Sequence, residues 1–72
     1  MGDYPASAQY EIRVRGVLSE ALLEAFPSLD AEVQGGDTVL AGTLPDQAAL
    51  YGVLTQIEAL GLELIEVRPA RL

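Results

Sequence analysis

The stretch LDAEVQGGDTVLAGTL, residues 29–44 of this 72-residue chain, carries the clearest indication of its fold. Apolar and polar residues alternate up to Gln34, and this period of two is typical of a β-strand with one buried face. Gly35-Gly36-Asp37 predicts a tight hairpin turn, because glycine reaches the positive φ values that such a turn needs. The second arm, 38–44, is apolar on both faces, which predicts a central strand. An antiparallel hairpin is therefore expected in the middle of the chain.

A strand and a short helix are predicted on the N-terminal side of this hairpin. The alternating pattern begins at Gln9 and is broken by Gly16. Ser19 is suited to cap the N-terminus of a helix that runs to Phe26. Pro27 ends that helix, because proline has no N–H to continue the helical hydrogen bonds.

A longer helix and a last strand are predicted on the C-terminal side. Asp46 is suited to cap the helix, and Gly61 lies where a residue in the left-handed conformation would end it. Residues 62–67 are expected to form the strand, with Pro69 ending it. The helix carries one apolar stripe at i, i+3, i+4 and i+7 spacing, formed by Leu50, Val53, Leu54, Ile57 and Leu60.

These elements predict an α+β fold of the order β-α-β-β-α-β, the ferredoxin-like arrangement. Right-handed crossovers would place both helices on one face of a four-stranded antiparallel sheet ordered 4-1-3-2. We expect a flexible N-terminal tail at 1–8, a single domain at 9–68 and a C-terminal tail at 69–72.

The composition argues against an enzyme. The chain contains no histidine, cysteine or lysine, which excludes Ser-His-Asp and Cys-His sites, lysine Schiff bases and soft metal sites. Asp30, Glu32 and Asp37 could form a hard-metal site, but the hairpin turn explains these residues better. We therefore expect no catalytic residues, no metal and no cofactor.

The charge of the chain excludes several classes of partner. The net charge is −7, with only four basic residues, whereas nucleic acids and anionic membranes are bound by lysine and arginine. No apolar run approaches the roughly 20 residues that span a bilayer, and the N-terminus does not resemble a signal peptide. We expect a cytoplasmic protein that binds neither nucleic acid nor membrane.

Self-association and a protein partner are the interactions that remain. A chain this short buries only about 60% of the surface of its unfolded form, and small domains without disulfides often gain stability by forming dimers. Arg13 and Arg15 are the most unusual surface feature of an acidic chain, so they are candidates for contact with a protein partner. Cross-strand pairing with Glu63 or Glu66 is the simpler explanation of both arginines.

The turn Gly16-Val17-Leu18-Ser19-Glu20 and the step Leu60-Gly61-Leu62 resemble ACT-like regulatory domains. That family shares the β-α-β-β-α-β order, has a glycine after the first strand, and often ends the second helix with Leu-Gly. The resemblance covers most of residues 10–67 and implies a sensor of amino acids or metabolites, with Gly16, Val17 and Leu18 as the ligand-binding residues. Two hypotheses therefore lead: a non-catalytic interaction or regulatory domain that dimerises, and a small-molecule sensor. An enzyme whose site uses only Asp, Glu, Tyr, Ser and Arg side chains ranks third.

Overall fold

The computed structural model describes residues 8–69, and six elements follow one another along them. Their order is the predicted β-α-β-β-α-β. Their bounds are β1 (Ala8–Val14), α1 (Glu20–Leu23), β2 (Asp30–Gln34), β3 (Asp37–Leu44), α2 (Gln47–Ala59) and β4 (Leu64–Pro69).

The four strands form one open antiparallel sheet in the order β2-β3-β1-β4. The same neighbours are written 4-1-3-2 when the order is read from the β4 edge. The apolar arm β3 lies inside the sheet, as predicted, and Thr38, Val39 and Leu40 are buried one after another. Burial on both faces explains why this strand has no polar face.

The hairpin between β2 and β3 turns at Gly35 and Gly36, and Asp37, predicted as part of the turn, is instead the first residue of β3. Gln34 lies opposite Asp37, and the turn residues Gly35 and Gly36 have φ values of 60° and 87°. Two consecutive positive φ values suit a turn whose twist matches that of the flanking strands, and glycine adopts them without steric cost.

The core lies on one face of β1 and contains side chains from both helical segments. Tyr10, Ile12 and Val14 alternate along β1 and are 0–1% exposed. The same cluster includes residues in and around α1 and α2, namely Leu18, Phe26, Leu29, Leu50 and Ile57. The two helices therefore share one core with the sheet.

The helix predicted to end at Phe26 is shorter, because α1 ends at Leu23. Ser19 caps it as predicted, and its side chain accepts a hydrogen bond from Leu22 N at 3.3 Å. Beyond Leu23 the backbone hydrogen bonds join residues three apart instead of four apart, as in the bond from Phe26 N to Leu23 O. Such tightening is common at helix ends. The tighter turn places Phe26 in the core, where this residue is only 3% exposed. Pro27 follows it directly.

The alternation in β2 does not correspond to a buried face. Every residue of this strand is exposed, including Ala31 and Val33. β2 is an edge strand, and only Leu29, which precedes it, enters the core. A period of two identifies an extended strand, but cover by another element decides whether its apolar face is buried.

The C-terminal end of α2 explains why β4 begins later than predicted. Leu62 N donates to Ile57 O at 3.1 Å and Gly61 N donates to Glu58 O at 3.0 Å. With Gly61 at φ 74°, these are the two bonds of a Schellman cap. Leu62 therefore belongs to the helix cap, and the strand starts at Leu64.

The boundaries of the predicted tails also shift. Ala8 belongs to β1 and Pro69 is the last residue of β4, so both lie in the sheet. Pro69 has no N–H, and a proline is tolerated at the end of an edge strand for this reason. The remainder of the two predicted tails lies outside the described residues.

Candidate functional site

The predicted ligand loop is held by the first two residues of β3. The side chain of Asp37 accepts a hydrogen bond from Gly16 N at 3.2 Å. The hydroxyl of Thr38 donates to Gly16 O at 2.7 Å and accepts from Leu18 N at 3.2 Å. Thr38 is only 2% exposed, so these contacts join β1, β3 and the start of α1 inside the protein.

This arrangement bears on the three residues predicted to bind a ligand. Gly16 and Leu18 already have their backbone N–H groups bonded to Asp37 and Thr38. Leu18 is buried in the core, whereas the Val17 side chain is 64% exposed. Gly16 has a φ of 88°, which explains the glycine without a ligand. The structure therefore brings the three residues together but uses two of their amides internally.

Arg13 and Arg15, the predicted partner-binding residues, are both engaged within the chain. Arg13 Nε lies 3.3 Å from Asp37 Oδ2, and its Nη2 donates to Gln34 O at 3.0 Å. Arg15 Nε lies 2.9 Å from Glu63 Oε1. The pairing of Arg15 with Glu63 is thus present, just beyond the ends of β1 and β4, while Arg13 binds the β2–β3 hairpin instead of Glu66.

The sheet face that carries Arg13 is charged and forms internal pairs. Arg68 of β4 donates twice to Glu11 Oε1 of β1, at 2.9 and 3.1 Å. Val39 lies opposite Arg13 on the neighbouring strand β3 and is only 7% exposed. This face therefore offers charged groups and little apolar surface.

An apolar groove between α2 and β4 is the feature that the sequence analysis missed. Its volume is about 410 Å³. Its lining is mainly apolar and comes from one side of α2 and the segment that follows it: Tyr51, Leu54, Thr55, Ile57, Glu58, Leu62 and Leu64. Of these, Tyr51 is 55% exposed and Leu64 is 43% exposed. The apolar stripe on α2 predicts that this side of the helix is buried. The position of β4 in the structure shows that part of the stripe is left uncovered.

The groove adjoins a free edge of the sheet. β4 pairs with β1 on one side and with no described strand on the other. Ile65, next to Leu64, is also 44% exposed. An edge strand presents unpaired backbone groups that another strand can bind, so apolar surface and hydrogen-bonding capacity occur together here.

The described residues include no group of three or more histidine, cysteine, aspartate or glutamate side chains placed to hold a metal ion. The carboxylates singled out above, Asp30 and Glu32, are exposed on β2. In residues 8–69, no helix has the length and apolarity needed to cross a membrane.

A family model described as a domain of unknown function (DUF8691) matches residues 9–68. No curated protein and no solved structure matches this chain.

Proposed function

Because the chain belongs to the DUF8691 family of domains of unknown function, we propose a function from geometry: a non-catalytic protein-interaction domain that forms a homodimer. The observation that carries this proposal is the uncovered apolar groove between α2 and β4, next to a free strand edge. Contiguous exposed apolar surface in a soluble domain is typical of an interaction site.

The size of the domain supports self-association as the use of this groove. A 72-residue chain has a thin core and no cysteine to cross-link it. Covering Tyr51 and Leu64 removes apolar surface from water, which stabilises by roughly 25 cal/mol for each Å² buried. A dimer therefore adds stability that the monomer lacks.

The proposal that the domain is not an enzyme rests on its side chains. The sequence contains no histidine, cysteine or lysine to act as base or nucleophile. Three of its arginines, Arg13, Arg15 and Arg68, pair with carboxylates of the same chain, so the described guanidinium groups already have anionic partners.

We also assign the architecture to the ferredoxin-like type. The element order, the neighbour relations of the strands and the common core of both helices support this assignment. In such a fold the helices cover one sheet face, and the other face and the strand edges are left for contacts with other molecules.

The alternative proposal, a small-molecule sensor of the ACT type, has less support. Its ligand would require free amides in the loop 16–18, whereas Gly16 N and Leu18 N are bonded to side chains. A thermal-shift screen with amino acids and metabolites tests this alternative. A ligand that raises the melting temperature of the wild type but not of Gly16→Val would favour the sensor.

Sedimentation equilibrium of the full chain, from low micromolar to near-millimolar concentration, tests the homodimer. We expect a concentration-dependent dimer that is weakened by Tyr51→Ser. Val17→Ser is the matched control, because Val17 is at least as exposed, at 64% against 55%, but lies outside the groove. A wild type that stays monomeric throughout, or equal weakening by both variants, would overturn the proposal.

A further inference from the structure

The two free edges of the sheet differ in charge. Within β2, Asp30 and Glu32 are acidic and no residue is basic. Within β4, Glu66 is balanced by Arg68. Two copies of β2 would repel each other, whereas two copies of β4 can be placed so that opposite charges meet. Charged edge strands are a common means of preventing unwanted pairing, so β4 is the edge suited to a second copy.

The direction of the backbone groups along β4 follows from its pairing with β1. Arg15, which directly follows β1, donates its N–H to Glu63 O at 2.9 Å. Every second residue counted back from Arg15 along β1 therefore directs its backbone groups toward β4. Arg13 and Glu11 lie opposite Glu66 and Arg68. These two residues of β4 therefore bond to β1, and the residue between them, Val67, directs its N–H and C=O toward the free edge.

From these observations we propose that two copies pair antiparallel through β4, with the two-fold axis at Val67. This inference rests on the homodimer proposed above and adds its interface. The two Val67 residues exchange both backbone hydrogen bonds, as a hydrogen-bonded antiparallel pair does. In this register Glu66 of each copy lies directly opposite Arg68 of the other.

Glu66 and Arg68 are both able to form an ion pair with the second copy. Within residues 8–69, no ion pair includes Glu66, because the guanidinium of Arg13 opposite it binds Asp37 and Gln34. Arg68 uses Nε and Nη2 for Glu11. A guanidinium has five N–H donors in total, so Arg68 can bind a second carboxylate, that of Glu66 in the second copy.

The same register limits the assembly to two copies, because both β4 edges are used in the interface. A two-fold axis through Val67 is perpendicular to the sheet, so the α2 helices of both copies lie on the same face beside the seam. The groove of each copy then borders the interface. Pro69, which has no N–H, and the bulge in β4 next to Leu64 limit the pairing to a short segment. The acidic β2 edges remain outside.

A charge exchange between two variants tests the register. Glu66→Arg places two arginines opposite each other, and Arg68→Glu places two glutamates opposite each other, so each variant alone should dimerise roughly 10- to 100-fold more weakly than wild type. An equimolar mixture should form a heterodimer of wild-type affinity, because both pairs are then attractive. The control Glu32→Arg, on the β2 edge, should dimerise like wild type.

A cross-link provides a second measurement that does not depend on charge. The chain has no cysteine, and a hydrogen-bonded antiparallel pair places its Cα atoms about 5.5 Å apart, within the span of a short bifunctional thiol reagent. Val67→Cys treated with a short bis-maleimide should therefore form a covalent dimer, and the control Val33→Cys on β2 should not. Circular dichroism confirms that each variant is folded.

The outcomes separate the two proposals. A wild type that does not dimerise overturns the homodimer and with it this interface. A wild type that dimerises, with unchanged affinity for Glu66→Arg and no cross-link at residue 67, keeps the homodimer and overturns the β4 register.

Discussion

The hydroxyl of Thr38 satisfies two backbone groups of the loop after β1, and Thr38→Val removes it with almost no change in shape. The hydroxyl accepts from Leu18 N at 3.2 Å and donates to Gly16 O at 2.7 Å. Leu18 is 8% exposed, so its N–H would lose its partner in a place that water does not reach. Leaving such a group unsatisfied costs about 1–3 kcal/mol.

The total effect of Thr38→Val follows from these two bonds. Gly16 O is only partly buried and can accept a hydrogen bond from water instead, so the loss of its bond to Thr38 costs about 0.5–1 kcal/mol. We expect the free energy of unfolding to fall by about 1.5–4 kcal/mol. For a domain of this size, that corresponds to a melting temperature lower by about 6–30 °C.

Two further variants separate the contribution of the Thr38 hydroxyl from the other effects of the substitution. Thr38→Ser keeps both bonds and loses one methyl group, so it should cost only about 1 kcal/mol. Thr43→Val makes the same chemical change at an exposed position of β3 and should stay within about 0.5 kcal/mol of wild type. Urea unfolding followed by circular dichroism, at one fixed protein concentration because dimerisation contributes, measures all three. Equal stability of Thr38→Val and Thr38→Ser would refute the role of the hydroxyl.

The same substitution at two glycines should have opposite effects on the melting temperature. A Cβ at Gly42 would lie 2.8 Å from a buried leucine side chain and 2.9 Å from a backbone oxygen, so Gly42→Ala should destabilise by about 1–3 kcal/mol. At Gly52, in α2, a Cβ meets nothing within 4 Å, and Gly52→Ala should stabilise by about 0.5–1 kcal/mol. Asp46→Ala removes the cap bond to the first turn of α2, 2.8 Å long, and should cost about 0.5–2 kcal/mol in urea unfolding, whereas Asp46→Asn should retain most of that stability. A double-mutant cycle on Arg15 and Glu63, whose side chains are 67% and 63% exposed, should give a coupling of at most about 1 kcal/mol that decreases with salt; a larger, salt-independent value would contradict a solvated pair.

Features that depend on neighbours in the sequence could be predicted without the structure. Gly35-Gly36 forms the expected turn, and Ser19 and Asp46 cap the two helices. Gly61 ends α2 in the left-handed conformation. Each of these follows from the φ range or hydrogen-bonding capacity of one residue within a few positions of its partners.

The candidate sites were predicted less well, because their residues are distant in the sequence. Arg13 binds Asp37, 24 positions away, and nothing in the pattern of β1 points to that partner. Thr38 resembles an ordinary strand residue, although its hydroxyl holds the loop at Gly16. The groove was missed because the apolar stripe of α2 predicts burial without saying how far β4 covers it.

The order of the six elements, their turns and caps, and the acidic, cysteine-free composition could all be read from the chain before its structure was known. These properties depend on local backbone preferences and on composition. Three features became visible only in the folded molecule: β2 is exposed, α1 ends at Leu23, and an apolar groove adjoins the edge of β4 that no described strand covers. Those features depend on which elements cover one another across long separations in the chain, and a period of apolar residues shows only that a face could be buried.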